Sequence, residues 1–181
     1  MLRVLFLVCL ISLSSKVNAN NKDQIINKLK NTSNLNFDFE QNINGEIELG
    51  NCTIQYPKKM YCKYDKKNKV MVSNGESLVI KSNSSYYRYT LNKTPLNFIL
   101  DKNFLVKKIS ELNEEIINNS LIKYTIKENG QLIDIFFDIK NYELIGWQTK
   151  DIYQNTAVTL LYSIKLNQVV DEKIFKTPLQ N

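Results

Sequence analysis

Histidine is absent from this chain, and with it go the commonest general base, the commonest metal ligand and the usual partner of a nucleophilic Ser or Cys. Glycine and proline are scarce, at 5 and 3 residues in 181, and no Gly-rich phosphate loop or Gly-X-Ser-X-Gly elbow is present. Cysteine is limited to Cys9, Cys52 and Cys62, which without histidine makes no ordinary zinc site. The carboxylates (Asp134, Asp138, Glu114, Glu115) fall on outward strand positions or a polar helix face, where solvation is their ordinary fate. A glycosidase needs only two acids, so one enzyme class stays open, but the expectation is a non-enzyme without metal or cofactor.

Long apolar runs are also missing after the N-terminus, so no later segment spans a bilayer as a helix. The N-terminus itself has a charged start at Arg3, an apolar run from Val4 to Leu13 and a small-residue site at Val17-Asn18-Ala19. That pattern predicts a cleaved secretory signal over 1–19, followed by one domain over 20–181. The competing reading is a membrane anchor, but the run is short for one and Lys16 follows it closely. The formal net charge is +6; removing Arg3 and Lys16 leaves +4, because residues 1–19 hold no acid. The lysines are spread along the chain rather than set in a stripe, which argues against nucleic acid as a partner.

What is present is regular alternation. Leu35, Phe37 and Phe39 alternate with polar residues, as do Cys52, Ile54 and Tyr56, then Met60, Cys62 and Tyr64 after a turn at Pro57. Val70–Ser73 and Leu78–Lys81 flank an Asn74-Gly75 turn, and Tyr86–Leu91 continues the meander. Four strands follow in the second half: one with Ile122, Tyr124 and Ile126, one with Ile133, Ile135, Phe137 and Ile139, then Glu143–Asp151 and Thr156–Leu166. Helices are predicted over Lys22–Lys30, with Ile25, Ile26 and Leu29 on one side, over Pro95–Asp101, and over Phe104–Ile117. For the second, Thr94 is the expected N-cap and Pro95 the first helical residue.

Connections this short imply antiparallel pairing, and ten or eleven such strands fit one highly curved sheet or open barrel. Two sheets in a sandwich fit the same periodicity. The inward sets form an apolar face that needs a cover, and the greasy helix with Leu96, Phe98, Ile99 and Leu100 can supply it. Periodicity does not distinguish a solid core beneath that cover from a ligand cavity. Cys52 and Cys62 share a face. With a connection at Pro57-Lys58-Lys59 they would lie diagonally, so a disulfide would need a bulge or register shift. The alternative is a pair of buried free thiols.

In order and spacing the chain resembles the LolA family of periplasmic lipoprotein carriers. The residues that carry the resemblance are Phe39-Glu40-Gln41, Gly50, Tyr56-Pro57, Tyr64, Val72-Ser73-Asn74-Gly75 and Thr94-Pro95-Leu96. The resemblance implies an incomplete antiparallel β-barrel closed by a helical lid. Its cavity would be lined by Phe37, Phe39, Ile54, Tyr56, Met60, Tyr64, Val72, Leu78, Ile80, Tyr87, Tyr89, Ile135 and Phe137. The lid would consist of Ile25, Leu29, Leu96, Phe98, Ile99 and Leu100. It implies a monomer that takes a triacylated lipoprotein from an inner-membrane ATP-driven (ABC) complex and delivers it to an outer-membrane acceptor. Three departures stand out. Tyr56 replaces the family's Arg before the turn proline, which is thought to hold the lid, and its hydroxyl is expected to bond a lid carbonyl. Cys52 and Cys62 replace bulky residues, which is more easily explained by a crosslink than by two separate losses of volume. The chain also ends soon after Phe175-Lys176-Thr177-Pro178.

Overall fold

The computed structural model describes residues 20–66, 68–150 and 154–180, so the expected leader over 1–19 lies outside the described residues. It opens with helix α1 (Asn21–Lys30), capped by the Asn20 side chain, which accepts from the Asp23 N–H. A meander of six strands follows: β1 (Asn34–Ile43), β2 (Glu46–Gln55), β3 (Lys59–Tyr64), β4 (Val70–Asn74), β5 (Ser77–Lys81) and β6 (Tyr86–Thr90). A single 3-10 turn (Leu91–Lys93) leads into α2 (Leu96–Ile99) and α3 (Lys102–Glu111). The chain then returns through β7 (Glu115–Ile117), β8 (Leu121–Glu128), β9 (Gln131–Asp138), β10 (Leu144–Lys150) and β11 (Thr156–Leu166). All eleven strands form one antiparallel sheet, ordered β6-β5-β4-β3-β2-β1-β11-β10-β9-β8-β7. β6 and β7 are its two free edges, so the barrel is incomplete, and the sandwich alternative falls.

Local sequence explains most of the turns. Asn44-Gly45 and Asn129-Gly130 each place two residues at positive φ between two-residue hairpin ends, the conformation that Asn-Gly favours. Two helix expectations need correction. Residues 115–117, expected to be helical, form β7, because Glu115, Ile116 and Ile117 pair with Lys123, Ile122 and Leu121. Thr94 makes no side-chain cap on α2: its hydroxyl donates back to the Leu91 carbonyl instead.

Register assigns the faces. One inward row runs Leu35, Ile54, Met60, Ser73, Leu78, Tyr89 across β1 to β6. The next runs Phe37, Cys52, Cys62, Met71, Ile80, Tyr87. A third holds Phe39, Gly50 and Tyr64, where glycine is required for close approach. A Cβ on Gly50 would strike the Lys63 carbonyl and lie 2.8 Å from the Phe39 ring. Phe39 uses that space to meet Tyr64 edge-on, with ring centroids 5.0 Å apart.

Cys52 and Cys62 are disulfide-bonded and directly opposed, with Cα atoms 4.1 Å apart. The diagonal expectation misplaced the loop by one residue. The connection is Tyr56-Pro57-Lys58, which sets Gln55 opposite Lys59 and so Cys52 opposite Cys62.

The concave face is covered by α1, α2 and α3, and α3 packs on both of the others. The outer face has a cover of its own. After β11 the tail makes three hydrogen bonds with Asn34, and Glu172 then accepts from Gln55 and Lys59. The 3-10 turn Glu172–Phe175 packs on β3 and β4, and Phe175 is buried there.

Candidate functional site

The site is the lidded concave face, and its floor is nearly all apolar. Phe37, Phe39, Ile54, Tyr56, Met60, Tyr64, Leu78, Ile135 and Phe137 are all buried in one core with the lid residues Ile25, Leu29, Phe98, Ile99 and Leu100. Leu96, Ile80 and Tyr89 are partly buried at its margin. Tyr87 occupies the expected face, but at free edge β6, where it is 53% exposed and stacks on Tyr89 at 6.5 Å. Val72 is misplaced by the sequence reading. It pairs with Tyr61 and Val79 and so faces outward, where the tail hides it; burial from the second side made it look like a floor residue.

The expected set also omits residues that matter. Leu105 and Ile109 make α3 as much a part of the lid as α2, and both are fully buried. Tyr124 and Trp147 complete the far wall, Tyr124 meeting Phe137 and Trp147 meeting Phe37, both edge-on. The alternation Ile122, Tyr124, Ile126 pointed to Tyr124. Trp147 had no such signal, because burial in β10 is not alternating.

The lid is closed on the sheet. Ile25, Ile99, Leu100, Leu105 and Ile109 have no solvent exposure, and neither do Ile54 and Met60 beneath them. The enclosed gap bounded by Leu29, Leu35, Tyr56, Tyr142, Leu144 and Leu166, with Thr32 and the Lys28–Glu143 pair at its rim, measures about 10 Å³. That is room for one water. Anything larger than a water therefore enters this face only as the helices move. An open groove of about 330 Å³ beside Lys59, Glu172 and Phe175 lies on the outer face, under the tail, and is no part of this site.

What fastens the lid is a small set of polar contacts. Lys58, at φ 65°, donates its N–H to the Leu100 carbonyl at 2.7 Å, while Ser73 Oγ donates to the Lys58 carbonyl at 2.7 Å. The Lys58 ammonium lies 3.6 Å from Asp101, whose other carboxylate oxygen caps α3 at the Phe104 N–H. Lys102 donates to the Thr32 carbonyl at 2.8 Å, tying α3 to the end of α1. Lys108 pairs with Glu128 at 2.8 Å across to the β8–β9 hairpin. These groups are partly exposed, so each pair contributes at most about 1 kcal/mol.

Tyr56 does not take part in that fastening, contrary to expectation. Its ring is buried, and among the described residues its hydroxyl has no hydrogen-bond partner. Burial pushes the phenol well above its ordinary pKa, so it stays protonated. The lid carbonyl of Leu100 is held instead by the backbone N–H of Lys58, two residues on.

The carboxylates singled out in the sequence have partners of their own, Asp138 within the turn after β9. Glu114 accepts from Tyr124 and Asn21, Asp134 accepts from Thr125 at 2.6 Å, and Glu115 pairs with Lys123 at 2.7 Å. Among the described residues, no group of three or more metal-ligating side chains is assembled.

Among solved structures, a LolA superfamily protein from Nitrosomonas europaea is similar over 88% of this chain and 99% of its own, with TM-score 0.45 and 10% identity. A DUF1329 family protein from Desulfovibrio piger is similar over 86% and 95%, with TM-score 0.44 and 8% identity. LprF from Mycobacterium bovis is similar over 83% and 95%, with TM-score 0.42 and 11% identity. No curated protein matches the sequence. The family model described as outer membrane lipoprotein carrier protein LolA matches residues 30–178, from the end of α1 to the tail, and the chain belongs to that family of lipid- and lipoprotein-binding proteins.

Proposed function

We propose that this protein is a periplasmic carrier that shelters the acyl chains of triacylated lipoproteins on the concave face and moves them from the inner to the outer membrane. Its partners are then an inner-membrane lipoprotein-releasing ABC complex and an outer-membrane acceptor. One observation carries the reading. A continuous apolar floor is covered by three short helices that are fastened mainly at their margins, so apolar contacts to the lid can be exchanged for apolar contacts to a ligand.

The exchange favours the ligand. Burying a ~16-carbon chain contributes roughly 12 kcal/mol at about 0.8 kcal/mol per methylene. Lifting Leu100, Leu105 and Ile109 off the floor forfeits about 5–9 kcal/mol at about 1.5–3 kcal/mol per side chain, so a single acyl chain outweighs it. Release into water is then very slow, and handover goes directly into another apolar cavity. The rim from Tyr56 to Met60 and the α2 helix are the surfaces offered to that acceptor.

Mass spectrometry of the protein purified from its native periplasm tests the reading. Co-purified triacylated protein is the expected result. Free phospholipid alone would instead mark a carrier of another lipid with the same fold, and absence of any acylated species would overturn both.

A further inference from the structure

Buried tyrosine hydroxyls usually find a partner, and leaving one unpaired costs free energy. Tyr56 Oη is nonetheless the one unpartnered hydrogen-bond donor among the buried side chains of the described residues, the other orphaned atoms being the acceptors Asn36 Oδ1 and Gln131 Oε1. It borders the small gap at one end of the concave face, one pleat beyond the row of Leu35, Ile54 and Met60. The walls there are apolar, from Leu29, Leu35, Leu144 and Leu166, and polar groups appear only at the rim, where Lys28 meets Glu143 at 3.0 Å. The Thr32 hydroxyl donates to the Lys28 carbonyl at 2.8 Å, and its oxygen takes no bond from Tyr56. Above the ring lies Lys102, 5.9 Å from its centroid, on the very helix that must move for anything to enter. A chain laid along the apolar rows would thus run toward a single free donor at a polar rim.

We propose that Tyr56 Oη is the donor for the ester carbonyl at the head of a bound acyl chain, so that this end of the concave face is the subsite that distinguishes ester-linked lipid from plain hydrocarbon. The inference rests on the carrier reading and adds an orientation to it: chain tails toward β5 and β6, glyceryl ester end under α1. The closed lid leaves the hydroxyl unpaired, and ligand pairs it, so the bond counts fully toward binding and not at all toward the empty state. Burial keeps the phenol protonated and able to donate at any physiological pH.

The test uses two probes identical except at the linkage: a dipalmitoyl-glyceryl-cysteine peptide and its dihexadecyl ether counterpart, each titrated into the native protein and Tyr56→Phe. The native protein is expected to favour the ester probe about three- to tenfold, and Tyr56→Phe to erase that preference, the readout being the ratio of the two affinities within each protein. An ester preference unchanged in Tyr56→Phe would overturn the assignment. If the native protein binds neither probe, the carrier reading itself fails, and the two failures are thereby distinguished. Thermal melting gives a second check: Tyr56→Phe should melt no lower than the native protein, and a lower midpoint would show that the hydroxyl is already paired in the closed state.

Discussion

The backbone N–H of Lys58 reaches 2.7 Å across to the carbonyl of Leu100, joining the tip of the β2–β3 hairpin to the end of the α2 lid helix. Because the donor is the main chain, the contact does not depend on which side chain occupies position 58. It depends on a turn that places Lys58 at φ 65°, and Ser73, fully buried in β4, secures that turn from below.

Asp101 is the residue on which this corner turns. It pairs with Lys58 at 3.6 Å and caps α3 through the Phe104 N–H at 3.1 Å. Asp101→Ala should therefore lower stability by about 1–2 kcal/mol, mostly as a lost N-cap. Hydrogen exchange of the α2 and α3 amides should speed up more than that of β1 and β2. Lys58→Gly keeps the N–H and suits the positive φ, so it should change stability by less than about 1 kcal/mol. A Lys58→Gly loss as large as that of Asp101→Ala would mean that the ion pair, which both variants remove, and not the cap or the backbone contact, holds this corner.

The disulfide is the second device in the same hairpin. Cys52 and Cys62 close a loop of sequence separation 10, and loop entropy alone gives about 3 kcal/mol for such a crosslink. The hairpin is already paired along β2 and β3, so Cys52→Ala/Cys62→Ala should cost no more than that, read as a shift of the denaturant midpoint. Alkylation without reductant should leave Cys52 and Cys62 unlabelled; labelling of both thiols would contradict the pairing.

The sheet was legible in the sequence wherever one face met the core and the other met water. Leu35, Phe37 and Phe39, and Ile133, Ile135 and Phe137, show that alternation, and the structure keeps all six inside. It failed where a second cover lies on the outer face. Met71, Val72 and Ser73 are buried in succession because the tail covers β4 from behind, and a tail with no periodicity announces no such role. The site was legible as a face but not as a set of contacts. That Lys58 rather than Tyr56 meets the lid follows from the three-residue loop 56–58 and its left-handed residue, which sequence spacing placed one residue too late.

Phe175 tests the separation of the two faces. It is buried on the outer side against β3 and β4, which carry Tyr61 and Val72, while its own segment touches no lid helix strongly. Phe175→Ala should free the tail, at a cost below the about 3–5 kcal/mol of a fully buried Phe because the segment frays locally. Protease should then cleave after residue 169 in a chain whose acyl-lipid affinity is unchanged. A large loss of affinity would show that the tail supports the concave site after all.

The lid helix offers the sharpest contrast between binding and folding. Leu96 is half-buried at the margin, whereas Phe98 is 6% exposed and meets the Phe104 ring at a tilt, with centroids 4.9 Å apart. A carboxylate at either position would face acyl chains in the loaded protein, where burying an unpaired charge is prohibitive. Both Leu96→Glu and Phe98→Glu should therefore abolish lipoprotein binding without blocking secretion. In the empty protein they should differ: Leu96→Glu lets its carboxylate reach water and melts within a few degrees of the native chain. Phe98→Glu forces a charge into the closed lid or ejects α2, and melts well below it. The pair is measured by melting of the empty proteins alongside capture of an acylated peptide. Undiminished capture by both variants would show that α2 is not the wall that the acyl chains touch.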